Sequence, residues 1–116
     1  MIECHSNKVW IAPGATDMRK SIDGLASTVQ HVIGQDPTSQ QLFVFCSRNR
    51  SKVKILYWGG NGFWLIYKRL ERGTFKWPTD LSAPVCITRR QLAWLLEGLT
   101  IEQRAAHRPL NFQFTS

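Results

Sequence analysis

The residues of this sequence that are best suited to chemistry are basic side chains gathered in one segment. Residues 48–76 hold eight bases and a single acid, Glu71, while the other seven bases and seven acids cancel. The whole net charge of +7 therefore lies in this segment. Its bases are Arg48, Arg50, Lys52, Lys54, Lys68, Arg69, Arg72 and Lys76. Because guanidinium and ammonium groups bind phosphate oxygens, this segment predicts a polyanion such as DNA as partner, with an acidic protein surface as the alternative.

Two further groups of side chains accompany the basic segment. Its tyrosines and tryptophans are Tyr57, Trp58, Trp64 and Tyr67. Aromatic rings next to bases can stack on unpaired nucleobases or form an interface, but they also fill hydrophobic cores, and both interpretations stay open. Arg19 and Lys20 fall in the first turn of a predicted helix, where the helix dipole disfavours cations. They indicate either a second anion contact or simple exposure to solvent.

The titratable residues do not predict an enzyme or a metal site. Asp17 and Asp23 are six positions apart on one predicted helix, which places them on different faces. The three histidines are far apart in the sequence, and Cys4-His5 has no second ligand pair at a metal-binding spacing. The glycines of residues 59–62 join two predicted strands and are expected to form a hairpin turn, since no helix follows to hold a phosphate. We therefore expect no catalytic residues, no metal and no cofactor.

The sequence also predicts the compartment. Cys4, Cys46 and Cys86 are an odd number of cysteines with no close pair, which is typical of reduced and mostly buried thiols. The first residues lack the pattern of a signal peptide. The apolar runs are far shorter than the roughly 20 residues that a membrane span requires. We expect a cytoplasmic protein with no membrane contact.

Local patterns place these residues on defined elements. Residues 8–12 predict a short strand, and a helix is expected from Asp17 to Ile33, where Gly34 ends it. Strands at residues 41–46, 52–58 and 63–70, separated by polar or glycine-rich turns, predict an antiparallel meander. Residues 85–87 predict an edge strand. Thr88 and Gln91 have the spacing of a capping box, which predicts a short second helix ending at Gly98.

The predicted fold is α+β. An antiparallel meander sheet carries the longer helix on one face, and a short helix lies near the C-terminus. Residues 1–100 are expected to form a single domain, and residues 101–116 a polar tail that is partly disordered or binds a partner. A sheet with large apolar groups on both faces also predicts a homodimer.

Several long motifs in this order resemble a known family. They include residues 16–20, 23–25, 42–45, 54–58, 62–73, 75–78 and 91–98. This set resembles the TnpB-type accessory protein, encoded by the second open reading frame, of insertion-sequence family sixty-six. It is not the RNA-guided nuclease that shares the name TnpB. Ser21 stands where that family usually has glycine. Gly59, which follows Trp58, stands where the family commonly has aspartate, and this makes the hairpin turn of the present chain more positive.

The resemblance implies a bacterial protein of a mobile element that assists transposition beside a separate transposase. Combined with the basic segment, it predicts a non-catalytic accessory factor that binds DNA, with the element's ends as one candidate target. The alternative is a protein-interaction module that recruits or regulates the transposase, or binds a sister accessory protein, through exposed aromatic residues.

Overall fold

A computed structural model describes residues 8–78 and 82–101. The predictions for Cys4-His5 and for the tail after residue 101 lie outside these residues. The strands are β1 (Val9–Ile11), β2 (Leu42–Cys46), β3 (Lys52–Trp58), β4 (Phe63–Arg69) and β5 (Val85–Ile87). The helices are α1 (Ile22–Thr28), which continues as a π-helical segment (Val29–Ile33), and α2 (Arg89–Leu96).

The five strands form one mixed sheet in the order β4-β3-β2-β1-β5. The meander is as predicted, since β2 pairs antiparallel with β3 and β3 with β4. The first strand, however, lies parallel to β2 and antiparallel to β5. A parallel neighbour requires a crossover connection, and α1 with the π segment supplies it. The α+β class is therefore confirmed, with β1 inserted between the meander and the edge strand β5.

Both faces of the sheet are covered, each by its own hydrophobic cluster. On one face, α1 and the π segment bury Leu25 and Val29 against Phe43, Phe45 and Leu56 of the sheet. We call this the α1 face. On the opposite face, α2 contributes Leu92 and Leu95 to a cluster that also holds Phe75 and Trp77 from the connection after β4. Alternate residues of each strand point to opposite faces, so β2 and β3 supply side chains to both clusters.

The first helix begins at Ile22 rather than at the predicted Asp17. Side-chain contacts hold residues 17–20 in a turn instead. The carboxylate of Asp17 accepts a hydrogen bond from the backbone N–H of Arg19, and the Lys20 N–H donates to the Asp17 carbonyl. The Lys54 ammonium donates to the carbonyls of Met18 and Lys20, each at 2.8 Å. The carbonyls of Met18 and Lys20 therefore have hydrogen-bond partners without being part of a helix. Arg19 and Lys20 precede α1 and are not in its first turn, where the helix dipole would disfavour them.

The second helix begins as its sequence predicts. The Gln91 N–H donates to Thr88 Oγ1 at 3.1 Å, and the Thr88 N–H donates to Gln91 Oε1 at 2.9 Å, which completes the capping box. Across residues 8–78 and 82–101, no helix has the length and apolar character of a membrane span.

Candidate nucleic-acid interface

The connection between β2 and β3 is a tightly hydrogen-bonded turn that presents basic side chains. Ser47 Oγ donates to Asn49 Oδ1 at 2.8 Å and accepts from the Lys52 N–H at 3.1 Å. The same Asn49 oxygen accepts from the N–H and the hydroxyl of Ser51. Such side-chain bonds to nearby backbone groups fix turns. Arg48 at the tip is exposed, so this turn carries its guanidinium outward from a fixed base.

The loop between β1 and α1 lies beside this turn. After β1, the Ala12 N–H donates to the Val44 carbonyl at 3.0 Å and the Thr16 N–H to the Cys46 carbonyl at 2.8 Å. The chain thus continues alongside β2 to its end, where β2 enters the turn. Residues 15–19 are therefore brought next to residues 47–49, which are about thirty positions away in the sequence.

Between this loop, the turn and the α1 face of the meander lies a groove, which we call the basic groove. It consists of two adjoining hollows of about 690 and 710 Å³ that share Asp17, Met18, Arg19 and Lys52. Four cationic side chains line it: Arg19, Arg48, Lys52 and Lys54. Its other lining residues include Thr16, Ser47 and Asn49, which are polar, and Leu65 and Tyr67 of β4. The groove can therefore offer several donors to an anion over a partly apolar floor.

Asp17 is the single acid among the lining residues, and it is already paired. Arg19 Nη2 lies 2.8 Å from Asp17 Oδ2, and Arg19 Nε donates to both carboxylate oxygens. These bonds, with the bond from the Arg19 N–H, lower the pKa of Asp17 to about 2. The same contact raises the pKa of Arg19 above its ordinary value. Asp17 is consequently ionised at neutral pH and offsets the charge of Arg19 within the groove.

Three of the predicted DNA-contacting bases donate to the protein's own main chain. Lys54 binds two carbonyls of the 17–20 turn while lining the groove, and its Nζ lies 5.9 Å from the centre of the Tyr67 ring. Lys68 donates to the carbonyl of Leu96 at 2.8 Å, at the end of α2. Arg50, whose φ of 65° is left-handed, donates to the carbonyl of Trp77 at 3.3 Å. Each of these bases holds two distant chain segments together.

The remaining predicted bases lie outside the groove. Arg69 is opposite Lys52 on the α1 face and donates to Glu71 at 3.0 Å, a contact that raises the pKa of Arg69. Arg72 and Lys76 are exposed on the connection after β4. Lys20, predicted as a secondary contact, donates to the Thr28 hydroxyl at 3.3 Å. The eight bases of the segment are thus distributed over more than one surface.

The four predicted stacking residues divide between the two sheet faces. Tyr67 lies on the α1 face and lines the groove with half of its surface exposed. Trp58 is on that face too, packed edge-to-face against Phe63 with ring centres 4.9 Å apart. Tyr57 and Trp64 pair on the opposite face. Gly59 lies under the Trp64 indole, since a Cβ there would come within 2.6 Å of Trp64 Nε1.

The sequence did not single out several groove residues. Thr16, Met18, Ser47, Asn49 and Leu65 line the groove, but none carries charge. The pattern of Ser47, Asn49 and Ser51 indicates the turn between β2 and β3, because Asn and Ser favour turns held by side-chain hydrogen bonds. The approach of residues 15–19 had no such signal, since it follows from the pairing of distant strands.

Other titratable groups take no part in the groove. In the part of the chain that the structure describes, no three His, Cys, Asp or Glu side chains come close enough together to hold a metal ion. Asp23 lies on α1, whereas Asp17 lies in the preceding loop. Cys46 is fully buried, and burial raises the pKa of its thiol to about 11, which leaves it protonated at neutral pH.

Comparison with known proteins identifies the family. Residues 7–106 match the family model described as IS66 Orf2 like protein. One relative, the uncharacterized protein y4hO of Sinorhizobium fredii (strain NBRC 101917 / NGR234), is 42% identical over 92 residues, covering 79% of this chain and 80% of its own. A second from that strain, the uncharacterized protein y4jC, is 26% identical over 105 residues, covering 88% and 90%. No solved structure matches. The chain therefore belongs to the IS66 Orf2 like family and is an accessory protein associated with insertion sequences.

Proposed function

We propose that this protein is a non-catalytic accessory factor of transposition that binds DNA through the basic groove. The observation that supports this most directly is the convergence of four cationic side chains from the 15–20 loop, the 47–51 turn and β3. The groove's one carboxylate is already neutralised by Arg19. Membership of an insertion-sequence family makes DNA the polyanion that such a protein meets.

The groove suits contacts to phosphate rather than to base edges. Within the described residues, the side-chain nitrogens of Arg48 and Lys52 have no hydrogen bond or ion pair, so they are available to a ligand. Arg19, Arg48 and Lys52 carry long and flexible side chains that can follow a backbone. Phosphate contacts supply affinity and orientation but little sequence information. We therefore expect binding to duplex DNA with weak sequence preference.

A charge-reversal experiment tests this proposal. The double variant Arg48→Glu with Lys52→Glu should weaken duplex binding by about 100-fold, because two attractive phosphate contacts become repulsive. The matched control is Arg89→Glu with Arg90→Glu, which makes the same change in net charge at two exposed positions on α2, on the opposite face. An electrophoretic mobility shift assay at low salt measures both. Equal losses in the two double variants would contradict a role for the groove.

The second candidate function is recruitment of the transposase. It is favoured by the exposure of Trp64, Ile66 and Tyr67, which are large apolar groups on one strand. A complex with the transposase that survives nuclease treatment would support this function. A complex that is lost on the same treatment would indicate that DNA links the two proteins.

A further inference from the structure

The strand β4 is the last strand at one edge of the sheet. Among the strands of the described chain it pairs with β3 alone. Of the five large apolar side chains that are exposed in these residues, three belong to β4: Trp64, Ile66 and Tyr67. Open edges are usually protected by charges, prolines or bulges, because their free backbone groups pair readily with another strand. Here the charges, Lys68 and Arg69, protect one end only.

The hairpin fixes which backbone groups of β4 face outward. The Gly59 N–H donates to the Gly62 carbonyl at 2.7 Å, so these two residues form a hydrogen-bonded pair across the turn. Hydrogen-bonded and non-hydrogen-bonded pairs alternate along an antiparallel ladder. Trp64, Ile66 and Lys68 therefore direct their backbone groups toward β3. The outward groups belong to the alternate residues Phe63, Leu65, Tyr67 and Arg69.

The sequence of β4 complements itself when it is read in the opposite direction. An antiparallel pairing centred on Ile66 places Phe63 opposite Arg69, Trp64 opposite Lys68, and Leu65 opposite Tyr67. Each cation then faces an aromatic ring, a favourable cation–π arrangement, and each outward backbone group finds a partner. A parallel pairing in register would instead place Lys68 beside Lys68 and Arg69 beside Arg69.

We propose that β4 pairs antiparallel with β4 of a second copy, with Ile66 on the two-fold axis. The two sheets then continue into one, and the exposed faces of Trp64, Ile66 and Tyr67 become covered at the junction. Directly opposed residues point to the same side of a sheet, so both α1 faces lie on one side. The two basic grooves would accordingly open on a common surface. The pairing itself does not depend on DNA binding by either groove.

Sedimentation velocity over a range of concentrations tests the pairing. The wild-type chain should associate to twice its mass of 13.3 kDa. Ile66→Lys should weaken association by about 100-fold or more, because two ammonium groups then meet at the axis and an apolar contact is lost. Val32→Lys is the matched control, since Val32 is 50% exposed and Ile66 51%. A wild-type chain that stays monomeric would overturn the proposal, and so would a monomer that binds the transposase through β4 instead. An Ile66→Lys variant that dimerises with undiminished affinity would overturn it as well.

Cysteine substitutions test the register. At Ile66 the two Cα atoms would be about 4.5 Å apart, as in other non-hydrogen-bonded pairs, which suits a disulfide. At Trp64 they would be about 14 Å apart, because four residues separate the positions along the strand. After mild oxidation, the fraction of disulfide-linked dimers should therefore be higher for Ile66→Cys than for the wild type. For Trp64→Cys this fraction should equal that of the wild type. Equal cross-linking of both variants would contradict the pairing.

Discussion

Basic residues of similar appearance in the sequence serve different purposes in this protein. Lys54 and Lys68 each donate to main-chain carbonyls from distant segments, and therefore act in stability. Arg48 and Lys52 line the basic groove with no such bonds among the described residues. Alternation in the sequence places Lys52 and Lys54 on the same face of one strand, yet does not distinguish these two roles. The distinction leads to separate predictions for neighbouring lysines.

Replacing Lys54 should affect stability more than replacing Lys52. Lys54→Met removes both hydrogen bonds to the carbonyls of Met18 and Lys20, and we expect a loss of about 1–2 kcal/mol in the free energy of unfolding. Lys52→Met should change that free energy by less than about 0.5 kcal/mol, as is usual for surface positions. Urea denaturation measures both values. Equal stability of the two variants would show that the Lys54 contacts contribute nothing.

Asp17 lowers the net positive charge of the basic groove. Asp17→Asn removes the ion pair with Arg19 and frees a guanidinium for phosphate, so duplex affinity should rise and its salt dependence should steepen by about one phosphate contact. Asp23→Asn is the control, since it changes net charge equally on the exposed surface of α1. Fluorescence anisotropy with labelled duplex measures both. Unchanged affinity in Asp17→Asn would place Arg19 outside the binding surface.

The same ion pair has a defined pH dependence. The pKa of Asp17 is lowered from 3.8 to about 2, so its contribution to stability is fully present above pH 3.8 and is lost as pH falls through about 2. An NMR titration of the Asp17 carboxyl carbon should have its midpoint near pH 2 in wild type. A midpoint near 4 would mean that the Arg19 contact does not persist in solution.

The helices and strands show how far local pattern determines this fold. The meander strands begin and end within one residue of their predicted limits, because alternation and turn residues are local signals. The capping box at Thr88 and Gln91 is equally local, and it forms. The start of α1 was misplaced by five residues because Lys54, a distant residue, binds the carbonyls of the preceding turn. The parallel insertion of β1 also depends on distant pairing, which no local pattern encodes.

The capping box gives a prediction for α2. Thr88→Ala removes the acceptor for the Gln91 N–H and should lower the free energy of unfolding by about 1 kcal/mol. Thr74→Ala is the control, because Thr74 is exposed and lies outside any helix. Thermal denaturation followed by circular dichroism compares the two. Identical melting temperatures for both variants would contradict a stabilising cap.

The packing of the whole molecule holds the walls of the basic groove in place. Each sheet face is closed by its own hydrophobic cluster, and Met18 and Leu65 join the groove walls to the cluster on the α1 face. The net charge of +7 predicted a polyanion partner from the sequence, but only part of that charge meets in one place. The convergence of Arg19 with Arg48 and Lys52 follows from the path of the chain after β1. The charge pattern of the sequence alone therefore could not predict this convergence.

The most direct test of DNA binding through the groove is its dependence on salt. Filter binding should be measured from about 50 to 300 mM salt, with duplexes from the element's ends and unrelated duplexes of equal length. Arg48 and Lys52, together with Lys54 where its ammonium also reaches a phosphate, predict that the logarithm of the binding constant falls against the logarithm of salt with a slope of about −2 to −3. The slope should be similar for both duplexes. Binding that is insensitive to salt, or absent at 50 mM, would contradict the proposed function.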